Sequence, residues 1–437
     1  MSPSVPTPSR ITLRAYQVGF GDCFLLTFGY RKAIDGRAER HVLIDFGSTR
    51  FPKGSGISHE VIAKDISERT EKLDAVVVTH RHKDHLSGFG SKPAAKLIAE
   101  LKPDLVVRPW TEDPGAAARA KAPGGPAEKS RRFVDGLDGA QEFARTVSDV
   151  IPESHDRRSF RGQLRHAAEE QLANQTAVEM LEELGKSASI GPRFVYAGAD
   201  SGLGHVLPGV DVRVLGPPTV EQWPEVAGQR ADDPDYWINQ RGLLERMLKS
   251  AKTAEDPAVK DPTIKRVPPA GPVRWIVEKM ADQHAHSLLR IVRSLDDALN
   301  NTSIILQFTV RGRGLLFPGD AQIENWSYVL DDPKRASQLK AKLDRIDLYK
   351  VGHHGSRNAT PKSLYRRWEE GRPPFVSVMS TMEGVHGESK ETRVPQALLT
   401  EALTSLGPLY RTDALEKGKP YVEISASTSS RELFKPT

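Results

Sequence analysis

The stretch Asp74-Ala75-Val76-Val77-Val78-Thr79-His80-Arg81-His82-Lys83-Asp84-His85 decides how the chain is read. Its first half is short, β-branched and too apolar for a surface strand, so it predicts a buried strand. Its second half then sits at the strand's C-terminal end, where open α/β sheets place their ligands. Three imidazoles and a carboxylate fall within the six residues His80 to His85. In extended backbone alternate side chains share a face, so His80 and His82 point the same way. Asp84 and His85 enter the following turn and reach a second point nearby. Nitrogen and oxygen donors of this kind suit zinc, and also manganese or iron. A solvated polar turn is the bland alternative, and the density of histidines at a strand end argues against it.

The pattern His80-x-His82-x-Asp84-His85 resembles the signature of metallo-β-lactamase-fold hydrolases. That resemblance implies an α/β chain folded as the αββα four-layer metallo-β-lactamase sandwich, here with a largely helical insertion. It implies two divalent metal ions, zinc or manganese, one served by the His-x-His pair and the other by the Asp-His pair. Further motifs bring the chain closest to the stand-alone ComEC-like hydrolase domain. The turn Gly19-Phe20-Gly21-Asp22 resembles the element that opens that domain, with Asp22 supporting the site rather than binding metal. Asp45, ending the apolar strand His41-Val42-Leu43-Ile44-Asp45, matches an aspartate that supports the metal centre, with a turn cap as the alternative. Gly319-Asp320 resembles the dipeptide whose aspartate touches both metals through its two oxygens.

Gly352-His353-His354-Gly355-Ser356-Arg357-Asn358 resembles the HHGS element of the same domain. One of its histidines is expected to ligate the second metal and the other to line the substrate site. We take His353 as the ligand and His354 as the group that stabilises developing charge or protonates the leaving group. Ser356 and Arg357 are candidates for binding a substrate anion, with helix capping as the alternative for Ser356. His386 lies near a loop histidine of the family, and Tyr410-Arg411-Thr412-Asp413 resembles a late structural motif.

Around these motifs the chain divides into three. Residues 1–110 read as the first half of the fold, in the order β-β-β-α-β-α-β, with a basic loop from Arg31 to Arg40. Residues 111–272 lose that regularity and read as an inserted helical and loop region shaping the cleft. Two polar helical stretches, 129–150 and 160–186, and two short strands, Phe194–Ala197 and Val210–Leu215, are expected there. Lys129, Arg131, Arg132, Arg157, Arg158, Arg161 and Arg165 suggest a phosphate-contacting face, although interleaved acids also suit a plain solvated helix. Residues 273–437 restore the second half of the fold.

The pattern departs from the family at one ligand. Where the family supplies another histidine, this chain reads Asn300-Asn301-Thr302-Ser303. Asn301 offers a weak oxygen ligand or a hold on water, with His284, His286 and His205 as the other candidates. A site poorer in nitrogen favours manganese over zinc.

Composition bounds the rest. The chain has 437 residues, a net charge of +5 and one cysteine, Cys23, which excludes an intramolecular disulfide and fits a reducing compartment. No apolar run approaches the ~18 residues of a membrane span, and the first ten residues lack a signal-peptide core. A cytoplasmic protein with no membrane partner is expected. The function implied is a metal-dependent hydrolase activating water, with Asp84 orienting the water or carrying its proton, and with a nucleic-acid phosphodiester as the favoured substrate. A hydrolase of small esters, lactones or phosphodiesters is the alternative, and a non-catalytic binding protein on the same fold is the third reading.

Overall fold

The computed structural model describes residues 5–113, 175–227, 299–331, 342–356, 360–370, 373–385 and 393–437, together with 335, 337 and 339. Strands β1 (Arg10–Tyr16), β2 (Cys23–Ile34) and β3 (Arg37–Phe46) form an antiparallel meander. From β3 the pairing turns parallel through β4 (Ala75–Val77), β5 (Leu105–Pro109) and β6 (Gly191–Val195). A second sheet repeats this plan. Its antiparallel part is β7 (Asp211–Gly216), β8 (Ile305–Val310) and β9 (Arg313–Phe317). Its parallel part continues through β10 (Leu348–Lys350), β11 (Val376–Met379) and β12 (Leu409–Arg411). The chain then returns to the first sheet, where β13 (Tyr421–Ser427) pairs with β1 and β14 (Lys435–Pro436) with β13. The fold is mixed α/β on two mixed sheets, of eight and six strands.

Eight helices lie among the described residues. They are α1 (His59–Arg69), α2 (Lys83–Leu86), α3 (Lys92–Glu100), α4 (Gln175–Ser187), α5 (Leu203–Val206), α6 (Ile323–Leu330), α7 (Lys362–Glu369) and α8 (Ala397–Leu406). Among the described residues none is long and apolar enough to cross a membrane.

Period-two alternation sorts the strand residues into layers. On β4, Ala75 and Val77 face a cluster shared by both sheets, while Val76 and Val78 face helices. The shared cluster joins Phe24, Phe28, Val42 and Val107 of the first sheet to Phe308, Phe317, Leu348 and Val376 of the second. On the other side of the first sheet, Leu25, Leu43, Val76 and Val106 pack with Ile62, Ile98, Leu181 and Leu184 of α1, α3 and α4. On the other side of the second, Leu316, Tyr349 and Phe375 pack with Trp326, Trp368 and Leu403 of α6, α7 and α8. A strand buried on both faces must be apolar throughout, which is why the 74–78 run reads as it does.

Two expectations change. The stretch expected as a basic loop, Arg31 to Arg40, instead extends β2 and β3 into a long hairpin. Its turn is Asp35-Gly36, both at positive φ (51° and 80°) as a tight hairpin turn requires. Arg37 and Arg40 belong there because both pair with buried Asp74, and Glu39 of the hairpin takes Arg69 of α1. Second, part of the expected insertion belongs to the framework. Helix α4 packs on the first core, β6 extends the first sheet, and β7 begins the second. The strand expected at Phe194–Ala197 thus starts earlier, at Gly191, whose φ of 87° turns the chain into the edge of the sheet. The basic residues from Lys129 to Arg165 lie outside the described residues.

Helix α1 starts at Ser58, whose Oγ accepts from the Val61 N–H at 3.3 Å. The next residue, His59, lodges its ring between Phe46 and Phe51, with centroids 5.5 and 4.8 Å away. Burial between these rings, where Nε2 also meets the Ser87 hydroxyl at 3.3 Å, lowers its pKa to about 4. Such a histidine favours folding above its unfolded pKa near 6.5, and the contribution is lost as pH falls from about 6.5 toward 4. His59→Phe is therefore expected to match the wild type near pH 7 and to exceed its stability by about 2 kcal/mol at pH 5. Urea unfolding in chelator at both pH values checks this, and equal differences at the two pH values would refute it.

Candidate metal centre

Five chain segments deliver the site, nearly all at strand C-terminal ends. Asp22 follows the β1–β2 turn, Asp45 closes β3, and Thr79 to His85 follow β4. Gly319-Asp320 follows β9, and Gly352 to Ser356 follow β10.

Asp45 is held at a φ of 56°, in the left-handed region. That conformation aims its carboxylate back at the β4 exit. Oδ1 accepts from the Thr79 N–H at 2.7 Å, and Oδ2 accepts from the Thr79 hydroxyl at 2.8 Å. Oδ2 also takes His85 Nδ1–H at 2.9 Å. This fixes the ring and its tautomer, leaving Nε2 to face Asp320 Oδ2 at 3.2 Å and Asp84 Oδ2 at 3.8 Å. An imidazole backed by a carboxylate in this way is the usual arrangement of a metal-binding histidine. Burial pushes the Asp45 carboxyl up and His85 opposes it.

His354 arrives from the opposite sheet in the same manner. Its Nδ1–H donates to the Ser380 carbonyl at 3.1 Å. Its Nε2 lies 3.0 Å from Asp84 Oδ2 and 3.3 Å from Asp320 Oδ2. Asp84, His85, Asp320 and His354 each present a donor atom within 4.8 Å of the others, a group able to hold a metal ion. Next to it, His80 Nε2 and His82 Nδ1 converge to 2.9 Å, and the His80 and His85 ring centroids are 4.1 Å apart.

The electrostatics fit a cation. Burial alone would raise Asp84 and Asp320, but His85 and His354 outweigh it and hold both carboxyls well below the ordinary range. Burial alone would lower the two histidines, yet Asp320 and its neighbours push His85 well up and His354 up to about 10. Positive charge at the two Nε2 atoms is what this carboxylate cluster demands, and a divalent ion supplies it as a proton does. His80 differs: burial, then His85 and His82, lower its pKa, which favours the neutral ring.

The backbone crowds around Asp84. The Asp22 N–H donates to the Asp84 carbonyl at 2.9 Å, and the Gly47 N–H to the Asp22 carbonyl at 3.0 Å. A Cβ on Gly47 would collide with the backbone of Asp84 and His85, and one on Gly21 would collide with Gly47 and Asp84. The Gly19–Asp22 and Asp45–Gly47 turns thus clamp the α2 turn that carries Asp84 and His85.

Of the two adjacent histidines, the structure brings His354 rather than His353 into the cluster. His354 is fully buried inside the donor cluster, whereas the His353 side chain is 23% exposed with Nε2 4.0 Å from Asp320 Oδ2. Both have positive φ (40° and 53°) before Gly355 at 84°, and this left-handed turn swings His354 inward and His353 outward. Asp22 stands behind the ligands, paired with the Lys350 ammonium and 3.5 Å from His354 Nδ1. Asn301 donates through Nδ2 to Glu324 at 3.1 Å, while its Oδ1 is buried with no hydrogen-bond partner among the described residues. The segment that follows it borders the site, since the Ile304 N–H donates to the Thr79 carbonyl at 2.9 Å and the Asp320 N–H to Ser303 Oγ at 3.2 Å.

His205 is 66% exposed beside Asp200 and takes no part in the cluster. Ser356 is buried at the end of the His353–His354 turn. Arg411 is engaged by Asp413 at 2.7 and 2.9 Å, which fits a structural role. Arg357, His386, His284 and His286 lie outside the described residues. Lys350 escaped the reading of the sequence; its signal was a lysine inside the otherwise apolar strand Leu348–Val351. A scan against protein-family models finds no match to the chain, and no curated protein matches it.

Two variants test this geometry. His354→Ala is expected to lose bound metal, measured by elemental analysis after dialysis, whereas His353→Ala retains it; the opposite result would restore His353 as the ligand. Gly47→Ala is expected to lower stability by about 1–3 kcal/mol, because the fixed α2 turn has nowhere to move.

Proposed function

We propose that this chain is a metal-dependent hydrolase of the metallo-β-lactamase fold, closest to the stand-alone ComEC-like domain, and that it cleaves a phosphodiester of DNA or RNA. The observation that carries the proposal is the convergence of Asp84, His85, Asp320 and His354 beside the His80–His82 pair. The order of the Gly19–Asp22, His80–His85, Gly319–Asp320 and Gly352–Ser356 motifs along the chain supports it. So does the packing of two sheets on one shared cluster with helices on their other faces, which fits the αββα sandwich.

Two divalent ions, zinc or manganese, would be held as follows. Asp84, His85 and His354 serve one ion, and His80 and His82 serve the other with Asn301 Oδ1 as its weak oxygen donor. Asp320 lies between them. Bound there, the ions lower the pKa of a water and offset charge that develops on the scissile group. The side chains supply the rest. Asp84, whose carboxyl is held ionised, orients the attacking water, and the Asp22 N–H on its carbonyl fixes the turn that carries it. His353, on the exposed side of the turn, donates a proton to the leaving oxygen. Asp45 and Ser380 hold His85 and His354 in one tautomer, so neither ring must reorient during the reaction.

The test is cleavage of single- and double-stranded DNA, RNA and a bis-aryl phosphodiester by protein loaded with zinc or manganese. Metal-dependent cleavage of a polymer is expected, falling about 10²–10⁴-fold in Asp84→Ala. Raising salt from about 50 to 200 mM should weaken polymer binding, because phosphate contacts release counterions. Cleavage of the small diester alone would shift the substrate to a small ester. Full activity in metal-free Asp84→Ala would overturn the mechanism.

A further inference from the structure

Lys350 ends β10 three residues before His353, and it is 2% exposed. A lysine is almost never so deeply buried without partners. Its ammonium has three: the Asp22 carboxylate, the Gly319 carbonyl at 3.0 Å and Asp320 Oδ1 at 3.5 Å. The two oxygens of Asp320 are thereby used differently. Oδ1 faces Lys350, while Oδ2 faces His85 Nε2 and His354 Nε2 at 3.2 and 3.3 Å.

We propose that Lys350 is a positioning residue of the metal centre, which engages Oδ1 of Asp320 and turns Oδ2 alone toward the ion-binding face. The inference rests on the reading of that cluster as a metal centre. It alters one expectation, that Asp320 offers one oxygen to each of two metals: with Oδ1 on Lys350, Oδ2 is the oxygen left to face an ion. The arrangement is rigid because Gly319 and Asp320 are gripped together. The ammonium holds the Gly319 carbonyl, Ser303 Oγ accepts the Asp320 N–H, and Gly319 packs against Thr79 and Ser303 where a Cβ would come within 2.8 and 3.2 Å. Asp22 anchors the other side of the ammonium, so Lys350 stays in place whether or not an ion is bound. Burial would lower its pKa, but Asp22 and Asp320 outweigh this and keep it charged.

Charge and positioning predict opposite outcomes. A buried ammonium beside a cation site repels the cation, so a lysine that mattered only through its charge would bind metal more tightly once removed. A lysine that fixes a ligand's orientation would bind metal more weakly once removed. Removing Lys350 alone strands the Asp22 carboxylate, so the comparison is made in an Asp22→Asn background, where the pair is replaced by neutral groups. Zinc affinity is measured by competition with a chromophoric chelator, after near-UV circular dichroism verifies each fold. Relative to Asp22→Asn, the Asp22→Asn/Lys350→Met protein is expected to bind zinc about 10–100-fold more weakly. Asp22→Asn/Lys350→Gln, which keeps an N–H donor for Oδ1 without the charge, is expected to recover part of that loss. Equal or tighter zinc binding in the Met variant overturns the inference, as does binding in the Gln variant that is tighter than in the reference or no better than in Met. Wild-type protein that binds neither zinc nor manganese overturns the metal-centre reading and this inference with it, whereas binding in the wild type with no effect of Lys350 overturns the inference alone.

Discussion

Four carboxylates, buried Asp22, Asp45 and Asp320 and partly buried Asp84, meet where the ends of the two sheets come together, and the local structure answers the demand they create. An ionised carboxylate taken out of water without partners is very costly, so each must be matched where it stands. Asp45 is matched by the Thr79 amide and hydroxyl and by His85. Asp22 is matched by Lys350, Asp84 by His354, and Asp320 by His85, His354 and Lys350. The partners come from both sheets, so the cluster exists only when the sheets are packed together. What makes the site attractive to a cation also ties it to the fold.

Bringing these groups together strains the backbone. Asp45, His353 and His354 hold positive φ, a conformation costing roughly 1–2 kcal/mol for residues other than glycine. The strain persists because the surroundings leave no alternative. Phe24, Phe317 and Leu348 lock the strands beneath, and Gly21 and Gly47 let the neighbouring turns approach Asp84 without a Cβ between them. Where the strain sits is also where side-chain direction matters most. At His353 and His354 it decides which imidazole enters the carboxylate cluster and which faces outward.

Much of this was legible in the sequence because local rules carry it. The apolar run of β4, the Gly19–Asp22 turn and the apolar strand ending at Asp45 each announce themselves within a few residues. The grouping of His80, His82, Asp84 and His85 follows from strand alternation and the turn after it. The β2–β3 hairpin was hidden because Arg37 and Arg40 look like a solvated loop until Asp74, distant in sequence, is seen to pair with them, as Arg69 of α1 does with Glu39. The Asp35-Gly36 turn was the available signal. Lys350 was hidden for the same reason, since a lysine in an apolar strand becomes intelligible only when Asp22 and Asp320 arrive from other strands.

The sequence by itself determined which donor types are present, that they sit at strand ends, and the order in which the two halves supply them. Strand periodicity and turn chemistry act over a few residues, so a linear reading reaches them. Tertiary structure alone decided that Asp84, His85, Asp320 and His354 share one centre, that His354 and not His353 joins it, and that Lys350 claims one oxygen of Asp320. Those outcomes depend on the angle at which two sheets pack and on a left-handed turn at their seam. Neither is encoded in the spacing of any one segment.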